Sequence, residues 1–179
     1  MSYEIETPAY EIGHIDRRLA ELGITIPDVA AAVANYVPAV RTGNYVYTSG
    51  QLPFVDGALP ATGKVGVGTT APDRYWAVTP LVDPEVAAGL ARQSALNALA
   101  AVKALVGSLD KVVRVVKVVG FVASDPSFTA QPAVINGASN VLGDIFGERG
   151  VHARSAVGVS VLPLDSPVEV ELIVEVAPE

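Results

Sequence analysis

Cysteine is absent from this chain of 179 residues, and methionine and tryptophan occur once each. Without a thiol there is no disulfide, no thiolate nucleophile and no zinc–thiolate centre. Histidine is nearly as scarce: His14 and His152 are too few for most metal shells unless carboxylates complete them. Cations are also in the minority, 12 Lys and Arg against 19 Asp and Glu, for a formal net charge of -7. With no basic tract, sequence-independent nucleic-acid binding through counterion release is disfavoured. No apolar run is long enough to span a bilayer, because the valine-rich stretch from Val112 to Val122 is short and is cut by Arg114 and Lys117. The N-terminal Met-Ser-Tyr-Glu-Ile-Glu lacks the basic and apolar regions of a secretory signal, so the cytoplasm is the expected location.

What the chain does have is apolar content, 50% of its residues, enough for the core of one domain. Ile15 to Leu22, closed by Gly23, reads as a short amphipathic helix in an N-terminal extension over 1–35. The single main domain is expected over 36–179. Tyr36 to Val40 and Tyr45 to Thr48 read as a hairpin around Arg41-Thr42-Gly43-Asn44. Pro53 to Asp83, rich in Gly, Pro, Thr and Ala, reads mostly as loop. Its Gly63-Lys64-Val65-Gly66-Val67-Gly68 lacks the ending and the following helix of a phosphate loop.

Asp83-Pro84-Glu85 is a strong helix start, since Asp caps, Pro suits the first turn and acids favour the positive dipole end. That helix should run to about Val106 and stop at Gly107, with Ala88, Ala91, Ala95, Leu99, Val102 and Val106 in one stripe. Val112 to Val122 is too rich in valine for a helix and reads as a long strand. A second long helix follows over roughly Ala130 to Phe146. The order implies an α+β layer, a mixed sheet with two helices packed on one face. The other face would be a large apolar patch, so self-association is expected.

The C-terminal block carries the most chemistry. Two strands joined around Leu164-Asp165-Ser166-Pro167 read as a hairpin, with Val157, Val159 and Val161 facing the core in the first. Val168, Val170, Leu172, Val174 and Val176 face the core in the second. Arg154 would then share the opposite surface with Glu169, Glu171 and Glu175. A guanidinium there could hold a carboxylate by two parallel hydrogen bonds, although a structural ion pair with Glu169 or Glu171 is the ordinary reading of such a residue. Glu169 could polarise a water, or be a solvated strand acid. Tyr36 could wall a pocket or pack in an interface, as could Tyr75 and Trp76. Ser49 and Gly50 sit where a strand leaves the sheet, in a simple turn or at a close backbone approach to a ligand. Ser155 and His152 have no partner acid in evidence, which disfavours a serine hydrolase.

Arg154-Ser155-Ala156-Val157, then Leu162-Pro163, then Val168-Glu169-Val170-Glu171 resembles the C-terminal signature of the Rid family, also called the YjgF family. Tyr36-Val37, Gly43-Asn44 and Thr48-Ser49-Gly50-Gln51-Leu52-Pro53 resemble its N-terminal signature at matching spacing. Ala91-Arg92-Gln93-Ser94 with Asn97 resembles the start of its first long helix. The resemblance implies a chorismate-mutase-like fold, a homotrimer with sites in the clefts between subunits, and cofactor-independent hydrolysis of enamines and 2-imino acids to 2-keto acids and ammonia. It further implies that Arg154 and the Gly50 amide bind the substrate carboxylate, that Glu169 is associated with the attacking water, and that Tyr36, Ser49, Asn136 and Ala156 line the site. Asn136 stands one residue farther from Arg154 than the pattern has it, leaving Asn140 as a substitute. Ala156 replaces a cysteine common in the family. A binding protein without the chemistry is the rival reading. The ribonuclease and translation-inhibitor descriptions in the family fit the acidic charge poorly, and a chorismate-mutase-like activity would want more cations in one cleft than Arg154.

Overall fold

The computed structural model describes residues 13–29, 35–68 and 81–178. Tyr75 and Trp76 lie outside the described residues. The elements in chain order are α1 (His14–Glu21), β1 (Ala39–Thr42), β2 (Tyr45–Thr48), α2 (Pro84–Val106), β3 (Val112–Ala123), α3 (Gln131–Phe146), β4 (Ala153–Val159) and β5 (Val168–Val176). The start of α2 follows its capping chemistry: Asp83 Oδ1 accepts the Glu85 amide at 2.8 Å, Pro84 occupies the first turn, and Gly107 at φ +87° ends the helix. The first hairpin begins later than its composition suggests, at Ala39, while Tyr36 and Val37 precede the strand.

The sheet runs β1-β2-β5-β3-β4, with β4 parallel to β3 and the other pairs antiparallel. The expected hairpin of β4 and β5 therefore does not form: β3 lies between them. Its twelve residues offer a full ladder to each neighbour, and a strand that follows a helical crossover pairs parallel. Val168, Val170, Leu172, Val174 and Val176 are buried beneath the helices together with Val112, Val115, Val118 and Val122. Both α2 and α3 cover this one face. They approach so closely that a Cβ on Gly137 of α3 would overlap the backbone carbonyl of Ala88 on α2.

The helix read as part of an appended segment is tied into the same core. Ile15 and Leu19 of α1 are buried, and the Asp110 carboxylate accepts the Gly13 and Ile15 amides at 2.7 and 2.8 Å. Burial pulls the Asp110 pKa upward, but these two amides and the Ser108 hydroxyl outweigh it and hold the carboxyl below its ordinary value. The loop over 53–83 is also strapped down where it is described. Val65, fully buried, bridges to Val82 and Ser124 and donates its amide to Ala123 O at 2.7 Å.

The second face of the sheet carries Val40, Tyr47 and Val157 at 51, 40 and 45% exposure. Val157 contradicts the core face expected of β4. Cross-strand partners share a face, and the pairing of Val118 with Arg154, Gly120 with Ala156 and Val122 with Gly158 turns those β4 residues toward the helices. Val157 is thereby turned outward, paired with Phe121.

Candidate functional site

The same register corrects the expected grouping of charges. Glu169 pairs with Phe121, on the uncovered face, whereas Arg154 is on the helix-covered face at the sheet edge. Glu169 and Arg154 are two strands across and three residues along from one another, roughly 14 Å at ordinary strand spacing. One chain thus holds two separate clusters of the residues singled out from sequence.

The first cluster surrounds Arg154. Its Nη1 donates to Asn136 Oδ1 at 2.8 Å and to Ser139 Oγ at 3.1 Å, both presented by α3 one helical turn apart. Asn136, not Asn140, is thus the asparagine that reaches the arginine, so the longer spacing in sequence is absorbed before β4. Ser139 Oγ also lies 3.0 Å from His152 Nε2. No ion pair to Arg154 is formed among the described residues, which removes the structural salt bridge to Glu169 or Glu171 within the chain. A guanidinium held by two neutral oxygens keeps its full charge for an anion. Nη1 is occupied, and the edge formed by Nε and Nη2 keeps the fork geometry that matches a carboxylate. Ala156, two residues along β4, turns its methyl toward the core while its backbone belongs to an edge strand.

The second cluster joins the end of β2 to the start of β5. Gln51 and Val170 exchange backbone hydrogen bonds at 2.9 and 3.0 Å, which brings Gly50 against Glu169. A Cβ on Gly50 would overlap the Glu169 carboxylate oxygen, so the chain approaches this closely only because the residue is glycine. The Gly50 amide has no hydrogen-bond partner among the described residues. Glu169 is half-buried, and burial first, then the neighbouring Glu171, raises its carboxyl above the ordinary glutamate value. Ser49 has a different duty: its hydroxyl donates to Val37 O at 2.7 Å and its amide to Pro38 O at 2.9 Å. These bonds fasten the segment that carries Tyr36, which is 52% exposed.

Ser139 was not legible as a site residue. The available signal was its spacing of three from Asn136, which places both on one side of a helix. In sequence His152 stands nearest Ser155; the tertiary structure gives it Ser139 instead.

A groove of about 620 Å³ lies elsewhere, between residues 25–28, the turn at Phe54 to Gly57, and Gln93 and Asn97 of α2. Asn97 Nδ2 is spent on the carbonyls of Leu52 and Phe54 at 2.8 and 3.1 Å. The start of α2 that resembles the family motif therefore serves to hold this loop. Among the described residues no helix is long and apolar enough to cross a membrane.

Comparison with known proteins covers nearly the whole chain. Protein TCP17 of Trypanosoma cruzi is 42% identical over 164 residues, 91% of this chain and 94% of that protein. The crystal structure of Atu1372 from Agrobacterium tumefaciens, described as a protein of unknown function, matches at 45% identity and a TM-score of 0.78, covering 92 and 93% of the two chains. TdcF of E. coli, solved with serine bound, matches at 25% identity and a TM-score of 0.56, covering 83 and 94%. The family model described as YjgF/chorismate mutase-like, putative endoribonuclease, matches residues 16–176. With that match spanning the sheet, both long helices and both charge clusters, the chain belongs to the YjgF family.

Proposed function

We propose that the protein is a hydrolase of small 2-imino acids and their enamines, working as a homotrimer in which Arg154 of one subunit faces Gly50 and Glu169 of the next. The observation that carries the reading is Arg154 itself, a guanidinium anchored by neutral Asn136 and Ser139 with no acid paired to it among the described residues. The separation of Arg154 from Glu169 within one chain supports a site shared between chains, and the exposed Val40, Tyr47 and Val157 of the uncovered face give those chains a reason to associate. The serine bound to TdcF supports an amino-acid-like carboxylate as the ligand class.

In this scheme the Nε–Nη2 edge of Arg154 and the Gly50 amide hold the carboxylate, and the exposed Tyr36 closes one wall. Water adds to the imine carbon as its proton passes to Glu169, whose raised pKa suits a group that first accepts and then returns a proton. With the imine entering as its iminium, this addition gives a neutral carbinolamine; Glu169 returns its proton to the nitrogen, and the C–N bond breaks as the carbinol hydroxyl gives its proton to Glu169 and on to water, leaving the 2-keto acid and ammonia. Fixing the carboxylate beside the water supplies most of the rate enhancement.

The test is release of 2-keto acid from enzymatically generated imino acids with chelator-treated protein. Acceleration over the buffer rate is expected. If the folded protein binds pyruvate yet accelerates nothing, it is a binding protein and the hydrolase reading falls. Mixing Arg154→Lys and Glu169→Gln subunits at a substrate concentration too low to fill the Arg154→Lys site tests the shared site: random trimers should regain about one quarter of wild-type activity, since a mixed trimer has one cleft with both halves intact. No recovery after subunit exchange would place the whole site within one chain.

A further inference from the structure

We infer that His152 and Ser139 form a positioning pair for Arg154, coupling the carboxylate-binding guanidinium to the protonation state of His152. This rests on the proposed carboxylate role of Arg154, but the coupling itself follows from hydrogen-bond direction. His152 Nδ1 meets the Gly150 carbonyl, which can only accept, so the ring proton sits on Nδ1 in the neutral form. Nε2, 3.0 Å from Ser139 Oγ, is then an acceptor and takes the single hydroxyl proton. That leaves the Ser139 lone pairs for Arg154 Nη1 at 3.1 Å, which can only donate. The second Nη1 proton goes to Asn136 Oδ1 at 2.8 Å. Every proton in the chain from Arg154 through Ser139 and His152 to Gly150 has one assignment, and the guanidinium is oriented with its Nε–Nη2 edge unspent among the described residues.

Protonation of His152 reverses one link. Nε2 becomes a donor, Ser139 must accept from two cationic groups, and its own proton has to leave the chain. An imidazolium then stands one hydroxyl away from the guanidinium, and their repulsion loosens the arginine. The other ionisable groups on the surrounding elements are Asp144 on α3, Glu148 and Arg149 in the turn before β4, and Arg114 and Lys117 on β3. Arg149 donates to Val112 O, and none of these is hydrogen-bonded into the chain of contacts from Arg154 to Gly150. In the assembled cleft Glu169 also titrates, so every protein in both arms below carries Glu169→Gln, and wild type there means wild type at His152, Ser139 and His14.

The experiment has two arms, both on the full-length protein with fold and oligomeric state checked by circular dichroism and light scattering. In the first, the side-chain NMR signals of Arg154 in 15N-labelled protein are followed without ligand across the range in which imidazoles change charge, roughly pH 5 to 8. They should track His152 in the wild type and stay flat in His152→Gln and Ser139→Ala, with His14→Gln behaving as wild type. In the second, pyruvate affinity is measured over the same range by calorimetry. It should weaken roughly three- to tenfold toward acid in the wild type, as expected for losing one ordinary hydrogen bond. His152→Gln, which keeps an acceptor for Ser139 and cannot charge, should hold the neutral-pH affinity throughout. A pH response that survives His152→Gln, or Ser139→Ala binding pyruvate as tightly as wild type, would overturn the inference. If Arg154 tracks His152 but pyruvate does not bind at any pH, the coupling stands and the carboxylate-site reading fails instead.

Discussion

The two charge clusters are built by opposite means. Around Arg154 the fold adds material: two polar side chains from α3 and a histidine behind them hold a cation without neutralising it. Around Glu169 the fold removes material, since glycine at position 50 lets a backbone with an unspent amide lie against the acid. Burial and a second acid make that carboxylate reluctant to ionise. Placing the clusters on opposite faces of one sheet keeps the arginine and the glutamate from pairing inside the chain. An ion pair would satisfy both; in the proposed scheme their distance keeps Arg154 for an anion and Glu169 for a proton, each incomplete alone.

The largest effect is expected from the cationic half. Arg154→Lys replaces a fork with a point charge and should weaken carboxylate binding about ten- to a hundredfold, the cost of a charge-assisted hydrogen bond. Glu171→Gln, two residues from Glu169 on the same strand face, should leave turnover near wild type. Near-normal saturation and rate in Arg154→Lys, measured with 2-keto acid release, would make the arginine structural.

Two glycine substitutions sharpen the contrast at an intermediate scale. Gly50→Ala drives a methyl into the tip of a flexible glutamate, which can swing aside, so stability should hardly change while activity falls as Glu169 leaves its place. Gly137→Ala drives the same methyl into the Ala88 backbone carbonyl, which cannot move without parting the helices, and should cost about 1–3 kcal/mol. Urea unfolding alongside activity separates these; equal destabilisation by both would mean that Glu169 is as fixed as backbone.

The smallest effect concerns stability against pH in the acidic half. Because the folded protein raises the Glu169 pKa, the protonated form is the one favoured by folding. Its stabilising contribution is present below the unfolded glutamate value and is lost as pH rises through the folded value, so at pH 7 the ionised acid is a cost. Glu169→Gln should therefore raise the melting temperature slightly at pH 7 and give no gain near pH 4. A gain of the same size at both pH values would mean that ionisation is not its cause.

Much of this was legible in the residues. Asp83-Pro84-Glu85 and Gly107 bracket α2 because capping and φ preferences act within a few residues. The alternation of β5 declared its buried face, since period two is a property of the strand alone. An isolated arginine stands out in a valine-rich strand, but it was the resemblance to the YjgF family that gave Arg154 a ligand to bind and separated Glu169 from Glu171 and Glu175. What the sequence could not contain was which strand lies beside which. Val157 and Val159 alternate as a core face would, but the face of β4 was decided by β3 inserting itself between β4 and β5, a long-range pairing with no local signal. That choice turned Arg154 toward α3, joined it to Ser139 and His152, and set Glu169 on the far side of the sheet. Local propensity and periodicity fix the elements and their two faces; only the register between distant strands decides what each face meets.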